Sequence, residues 1–312
     1  KQGTIVAQKL VDAKVNGVIG HLNSGTTIPA SKLYSDAGIP QISPSATNPK
    51  YTQQGFKTAF RVMANDIQQG KILGEFAAKQ GAKTVAIIDD RTAYGQGLAD
   101  EFKKAVEAAG LKVVATEYTN DKATDFKAIL TKIKSTKADL VFYGGMDAQG
   151  GPMAKQMKEL GLKARFLGGD GVCTPEFIKL GGPATEGHYC SLPGVPLEKM
   201  AKGPDFKDKF TKKFNAEIQL YAPNVYDAVM VMADSMKRAG SVDPAKYLDA
   251  VGKTSYDGVT AKIEFDDKGD LKGGAISIYQ YKGGKLEYVS TLGGGVVEAV
   301  KEAAAATGEA AK

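Results

Sequence analysis

The residues of this sequence that could do chemistry gather in five short stretches rich in hydroxyls, glycine and aspartate: "NSGTT" (23–27), "SPSATNP" (43–49), "DDRTAYGQG" (89–97), "GGMDAQGG" (144–151) and "GGDGV" (168–172). The first two offer Ser24, Ser45, Ala46 and Thr47, which bring hydroxyls and backbone amides but no charge. At a helix start such groups suit an anion, because the helix N-terminus carries partial positive charge. The later stretches bring Asp147 and Asp170, whose carboxylates suit a cation. Together they describe a zwitterion. An α-amino acid would set its carboxylate on Ser24, Thr47 and neighbouring amides and its ammonium on Asp170, with Tyr94 covering it from the other side. Each residue also has an ordinary reading: Ser24 and Thr27 as helix caps, Asp170 as a turn residue between Gly169 and Gly171, Tyr94 as packing. What favours the site is that all the candidates fall just after strands, at the end where open parallel sheets bind ligands.

The elements that must position them alternate along the chain. Apolar runs of strand length occur at "VNGVIGHL" (15–22), "IPQISPS" (39–45), "TVAIIDD" (84–90), "LKVVATEY" (111–118), "ADLVFYGG" (138–145) and "ARFLGGD" (164–170). Between them lie stretches with apolar residues at three- and four-residue spacing, such as "GLADEFKKAVEAAG" and "DFKAILTKIK". This alternation predicts an α/β protein with parallel sheets covered by helices on both faces. It pauses in extended segments around "TAFRVMAND" (58–66), "YCSLPGVPLEKM" (189–200) and "DDKGDLKGG" (266–274), which suggests two lobes with the chain crossing between them more than once. The last residues, 293–312, are a glycine joint and an Ala/Glu/Lys-rich tail expected to be helical.

Other chemistries fit less well. The 41 basic and 35 acidic residues leave a modest charge of +6, and the lysines lie scattered on helix faces as in "DFKDKFTKKF", which suits solvated surfaces better than a nucleic-acid groove. No run approaches the roughly 18 apolar residues of a membrane span, and the opening "KQGTIVAQKLVDAK" reads as an amphipathic helix rather than a leader. "GQGLAD" (95–100) imitates a dinucleotide fingerprint but lacks its third glycine. His21 near Ser24 suggests a nucleophile, yet Leu22 stands where a nucleophile elbow needs glycine. "DDKGD" (266–270) lacks the later glutamate of a calcium loop and is expected to be a solvated turn. Two histidines far apart, and no cysteine pair at finger spacing, speak against structural zinc. Cys173 and Cys190 could close a disulfide in an oxidising compartment or remain two buried thiols.

The stretches "GHLNSGTTIPASKLYSDAGIPQISPSATNP", "DDRTAYGQGLADEF", "DFKAILTKIK", "YGGMDAQGGPMAKQ" and "FLGGDGV" resemble, in order and spacing, the periplasmic leucine/isoleucine/valine-binding proteins, amino-acid receptors of branched-chain ABC transporters. The resemblance covers residues 1 to about 292. It implies a type I periplasmic binding protein: two Rossmann-like lobes joined by three crossovers, with residues 1–64 plus 196–272 in one and 65–195 plus 273–292 in the other. It also implies a periplasmic monomer that works with a membrane permease, without catalysis or cofactor. Carried over by motif, Ser24 and Thr47 with the backbones of Leu22 and Ser45 would grip a carboxylate. Asp170 would take the place of the family's ammonium-binding acid, often Glu, and Tyr94 that of a cleft tyrosine. Met146 stands where some members carry an aromatic residue, and Asp147 beside it would favour a polar or basic ligand. Members begin with a further strand, helix and strand, with a cleft loop "GPLTG", so the first sheet here is expected to have an open edge. The readings left beside an amino-acid receptor are the sensor domain of a regulator, an amide- or amino-acid-processing enzyme using Ser24 or Asp170, and a shortened or engineered scaffold with impaired binding.

Overall fold

The computed structural model describes residues 2–294 and 298–299. The chain begins with α1 (Gln2–Asp12), β1 (Val18–Ile19), α2 (Ser24–Asp36), β2 (Gln41–Ser43), α3 (Lys50–Gln53) and β3 (Ala59–Arg61). It continues through α4 (Asp66–Lys79), β4 (Thr84–Asp89), α5 (Ala93–Ala108), β5 (Lys112–Tyr118), α6 (Lys127–Thr136), β6 (Leu140–Gly144), α7 (Asp147–Glu159) and β7 (Arg165–Gly168). A short 3-10 turn, Asp170–Val172, leads to α8 (Pro175–Gly181) and β8 (Tyr189–Pro193). After it come α9 (Gly203–Phe214), α10 (Ala222–Ala239), α11 (Pro244–Gly252), β9 (Ser255–Asp257), β10 (Lys262–Glu264), β11 (Ala275–Lys282), β12 (Lys285–Gly293) and β13 (Glu298–Ala299).

These elements build two lobes. In the first, β1, β2 and β3 pair in parallel, Val18 against Gln41 and Ile42 against Phe60, with β1 at the edge. One face carries α1 and α2, through Ala7, Ala30 and Tyr34. The other packs Ile42, Phe60 and Val62 on Val231 and Met232 of α10, Tyr247 of α11 and Ile263 of β10. In the second lobe the strands run β13-β12-β11-β8-β7-β6-β4-β5, and apolar clusters cover both faces. Leu73, Phe76 and Phe102 lie on one face, where Phe102 stacks on Phe142 at 3.9 Å between ring centres; Leu130, Met153 and Phe177 lie on the other. Burying such side chains is worth about 1.5–3 kcal/mol each, which is the main term holding either lobe together.

The second sheet is not wholly parallel, as the alternation led us to expect. Strands β8 to β5 are parallel, but β11, β12 and β13 run antiparallel. The link between β11 and β12 sets their mutual direction: Gly283 and Gly284, at φ +58° and +72°, form a two-residue hairpin loop, and only antiparallel strands can be joined that tightly. The expected strand at 15–22 is also cut to Val18–Ile19. Beyond it the carbonyls of His21 and Leu22 accept from the hydroxyls of Ser43 and Ser45 instead of joining the ladder. Of the tail expected to be helical, Gly293 ends β12 and Glu298–Ala299 pair with Thr291 and Ser290 as strand, while residues 295–297 and 300–312 lie outside the described residues.

The segments 62–65, 194–202 and 266–274 lie between elements of different sheets, and they are tied to one another or to the strands beside them. Gly194 N–H donates to Ala275 O at 2.7 Å, and Arg61 N–H donates to Gly269 O at 2.9 Å. Among the described residues no helix is long and apolar enough to cross a membrane.

Candidate functional site

The uncharged half of the site is a lacework of serines between the β1–α2 and β2–α3 loops. Asn23 stands at the N-cap of α2 in extended conformation, and its side chain makes no capping bond. Ser24, the first residue of α2, does not cap it either: its Oγ accepts from Asn48 N–H at 3.2 Å in the opposite loop. Ser45 Oγ donates to Leu22 O at 2.9 Å, and Ser43 Oγ accepts from Ala46 N–H at 3.0 Å. Thr47 is fully buried at the centre of this loop, its hydroxyl beside the Asp66 carboxyl, whose pKa it helps to hold down.

Beneath the loop lies Arg61, at the end of β3 and fully buried. Its Nη1 donates to Ala46 O at 2.7 Å and Asn48 O at 3.0 Å, fixing the backbone on both sides of Thr47. Its Nη2 donates to Thr52 Oγ1 and, with Nε, to Asp270 Oδ1, the pair closing to 2.6 Å. The segment 266–270 is thus a turn, with Asp266 Oδ1 accepting from Lys268 and Asp270 N–H; its tip, Asp267 and Lys268, is exposed, while Asp270 turns in to neutralise this buried guanidinium.

The charged half is built on the second lobe. Asp170 is 3% exposed and follows β7 in the 3-10 turn. Its Oδ1 accepts from Tyr94 Oη at 2.8 Å and Gln69 Nε2 at 3.0 Å, and its Oδ2 from Tyr221 Oη at 2.5 Å. Tyr94 Oη in turn accepts from Gly171 N–H at 2.9 Å, so this tyrosine is core on one edge and site on the other. Gln69 is held by Ser191 Oγ at 2.8 Å and donates to Asp66 Oδ1 at 3.1 Å. Asp66 is wholly buried, and its pKa is pushed up to about 8, first by burial and then by the Asp170 charge, against the opposing pull of Thr47 and Gln69. Burial, with Asp170 second, likewise raises Tyr94 and Tyr221 well above the ordinary tyrosine value.

Of the residues singled out from sequence, Leu22, Ser24, Ser45, Ala46 and Thr47 share the first loop cluster, and Tyr94 meets Asp170 in the second. Asn48 Nδ2 donates across the lobes to Ala93 O at 2.5 Å, which draws the two clusters together. Met146 is the N-cap of α7 and packs its side chain partly against the core beside α5. Asp147 stands apart: its Oδ2 accepts from Thr174 Oγ1 at 2.6 Å, and no bond joins it to Asp170 or Asp66. Leu22, Thr174 and Tyr221 line one cavity of about 990 Å³ that runs out along α9 and α10. Cys173 and Cys190 form a disulfide, Cα–Cα 5.3 Å, tying the turn that bears Asp170 to β8. The glycines of "GQGLAD" serve packing: a Cβ on Gly95 would come within 2.4 Å of Gly144 O, so α5 lies against β6 only because no side chain stands there. His21 Nε2 bonds to Tyr34 Oη at 2.9 Å and makes no bond to Ser24. Among the described residues no group of His, Cys, Asp and Glu could hold a metal.

Sequence reading missed Arg61, Asp66, Gln69 and Tyr221. The signal for the first was a charged residue inside the apolar strand "TAFRVM". Asp66 and Gln69 look like an ordinary polar helix start after Asn65, and only the meeting of the elements brings Tyr221 near Asp170.

The family model described as "Periplasmic binding protein" matches residues 1–285. A "Leucine-, isoleucine-, valine-, threonine-, and alanine-binding protein" of Pseudomonas aeruginosa is 37% identical over 282 residues, which are 90% of this chain and 75% of that protein. Among solved structures, the leucine binding protein LivK of Thermotoga maritima is similar with a TM-score of 0.88 at 27% identity, covering 93% of this chain and 83% of that one. The branched-chain amino acid transporter substrate binding protein LivJ of Streptococcus pneumoniae, solved in complex with isoleucine, is similar with a TM-score of 0.82 at 29% identity, covering 92% and 83%. With its two α/β lobes and its paired loop clusters at the strand ends, the chain belongs to the periplasmic binding protein family, alongside the leucine/isoleucine/valine-binding proteins.

Proposed function

We propose that this protein is a periplasmic receptor that captures a small α-amino acid, branched-chain aliphatic or a close analogue, between its lobes and presents it to the permease of an ABC transporter without altering it. The observation that carries this reading is the meeting of an uncharged loop of hydroxyls and helix-end amides around Ser24, Ser45 and Thr47 with the buried carboxylates of Asp66 and Asp170. A carboxylate can take hydroxyls and helix-end amides on one side while an ammonium takes carboxylates on the other. A phosphate or other polyanion would face the carboxylates of Asp66 and Asp170. Leu22 and Tyr221 offer apolar surface beside these groups, which suits an aliphatic side chain. The names of the relatives, which bind leucine, isoleucine and valine, support the same class. Residues 1–64 plus 196–272 and 65–195 plus 273–292 would act as the two rigid bodies, a division supported by the separation of the apolar clusters. The enzyme reading lacks a base, since Ser24 Oγ takes its bond from a backbone amide.

Titration calorimetry against the twenty amino acids and short-chain analogues tests this. Leucine, isoleucine or valine should bind at one site, and Asp170→Asn should weaken the binding by about 1.5–3 kcal/mol, the worth of a charged hydrogen bond. Equal affinity in the variant would remove Asp170 from the ammonium role. Product formed above background, or no binding by any member of the set, would overturn the receptor reading.

A further inference from the structure

The amino-acid clamp has its two halves on different lobes, so something must fix the distance between them. We infer that Asp270, on the third passage between the lobes, is the positioning residue that joins them; this rests on the receptor reading above. Its Oδ1 holds Arg61 through Nε at 2.9 Å and Nη2 at 2.6 Å, and its Oδ2 accepts from Asn65 Nδ2 at 3.2 Å. Each partner commands one half of the site. Every N–H of the Arg61 guanidinium is matched, and two of them grip Ala46 O and Asn48 O around Thr47. Asn65 caps α4, its Oδ1 accepting from Ile67 and Gln68 N–H while Gln68 bonds back to Asn65 N–H. The first turn of that helix carries Asp66 and Gln69, which reach Thr47 O through the Asp66 amide and Asp170 through the Gln69 amide group. One carboxylate therefore sits where the serine loop and the aspartate cluster are both anchored.

The placement suits a joint. Asp270 lies in a segment the chain uses to pass between lobes, and its own N–H and that of Lys268 are fixed by Asp266 Oδ1. Gly269 O takes Arg61 N–H, so the turn is bound to β3 by backbone as well as by side chain. A rotation of one lobe against the other pivots near this carboxylate and leaves both of its bonds short, whereas groups farther out must part. Asp270 touches no ligand. Its part is to hold the loop around Thr47 and the helix start at Asp66, which meet through Asp66 N–H and Thr47 O at 2.8 Å, in one fixed arrangement.

The test is amide hydrogen exchange of the protein with nothing added, alongside leucine calorimetry. In Asp270→Asn one oxygen still accepts from Arg61, but the charge is lost and the other atom meets Asn65 as donor to donor. Exchange should quicken by roughly tenfold both at the amides of 45–48 and at 65–70, and the leucine Kd should rise by roughly tenfold. Asn65→Ser keeps a capping oxygen and loses only the bond to Asp270. It should quicken 65–70 while leaving 45–48 as in the wild type, which a general loss of stability would not do. This second variant decides the matter should the first fold poorly. Unchanged exchange in both segments, or equal quickening across the whole chain in both variants, overturns the joint. Failure of the wild type to bind leucine or its analogues falls on the receptor reading instead, and exchange still reports on Asp270.

Discussion

Asp66 carries the sharpest consequence at the scale of one residue. Its carboxyl has an ordinary value of 3.8 and is raised to about 8 in the fold, chiefly by burial and then by Asp170. In the unfolded chain it ionises near pH 4, so between about pH 4 and pH 8 the unfolded state holds fewer protons than the folded one. Its contribution to stability is therefore full below pH 4 and is lost as pH rises through 8. Asp66→Asn cannot ionise and should escape that loss, so denaturant unfolding should show the variant gaining on the wild type across this window. An ammonium placed beside Asp66 reverses the balance and favours the ionised form. Binding of leucine at pH 7 should then release about one proton, seen as a heat that changes with the ionisation heat of the buffer. A binding heat independent of buffer would show that Asp66 stays protonated or lies away from the ammonium. None of this could be read from "ANDIQQG" (64–70), because an aspartate at a helix start is usually a solvated partner of the dipole. What makes Asp66 different is burial by elements far away in sequence, including the turn that carries Asp170.

At the scale of elements, the site depends on short connections held rigid. The 3-10 turn bearing Asp170 is fastened by the Cys173–Cys190 disulfide, which closes a sequence separation of 17. Loops of this size stabilise by about 3 kcal/mol through the unfolded state. Both sulfurs are buried, so alanine is the apt replacement, as serine would bury a new hydroxyl. Cys173→Ala/Cys190→Ala should lose stability of that order in denaturant unfolding, and treatment with a reductant should add nothing further to the loss. A double variant as stable as the wild type would mean that the turn is held by hydrogen bonds instead, from Tyr94, Gln69 and Tyr221 to Asp170 and from Tyr281 to Val172 O. Much of this level was legible in the sequence. The α/β alternation, the strand ends and the loops that carry Ser24, Thr47, Tyr94 and Asp170 follow from periodicity and turn chemistry, which are local. The antiparallel β11–β13 edge was less so, because strand direction depends on what "GG" at 283–284 joins rather than on the strands themselves. Arg61 and Asp270 were hidden for the same reason: an ion pair spanning more than two hundred positions leaves no local pattern.

The whole molecule is two lobes in contact, and hydrogen bonds cross between them. Tyr221 of the first lobe donates to Asp170 of the second, and Asn48 donates to Ala93 O. The large apolar clusters sit on separate lobes, with Ala64 of the linking segment packed into that of the second. A charged hydrogen bond is worth about 1.5–3 kcal/mol, so the Tyr221 bond alone can shift the balance between open and closed forms by tenfold or more. A receptor that binds only when closed has an apparent Kd equal to the intrinsic one divided by the closed fraction. Tyr221→Phe keeps the ring and removes the donor. It should enlarge the radius of gyration of the unliganded protein in solution scattering and weaken leucine binding by roughly tenfold, while at saturating leucine the variant and wild type should contract to the same radius. The equality at saturation is the telling part, because ligand contacts to both lobes can then hold the closed form without the tyrosine. If the unliganded radius is unchanged while affinity still falls, Tyr221 acts on the ligand directly and not on the balance of the lobes. If neither changes, the bond to Asp170 does not link the lobes in solution.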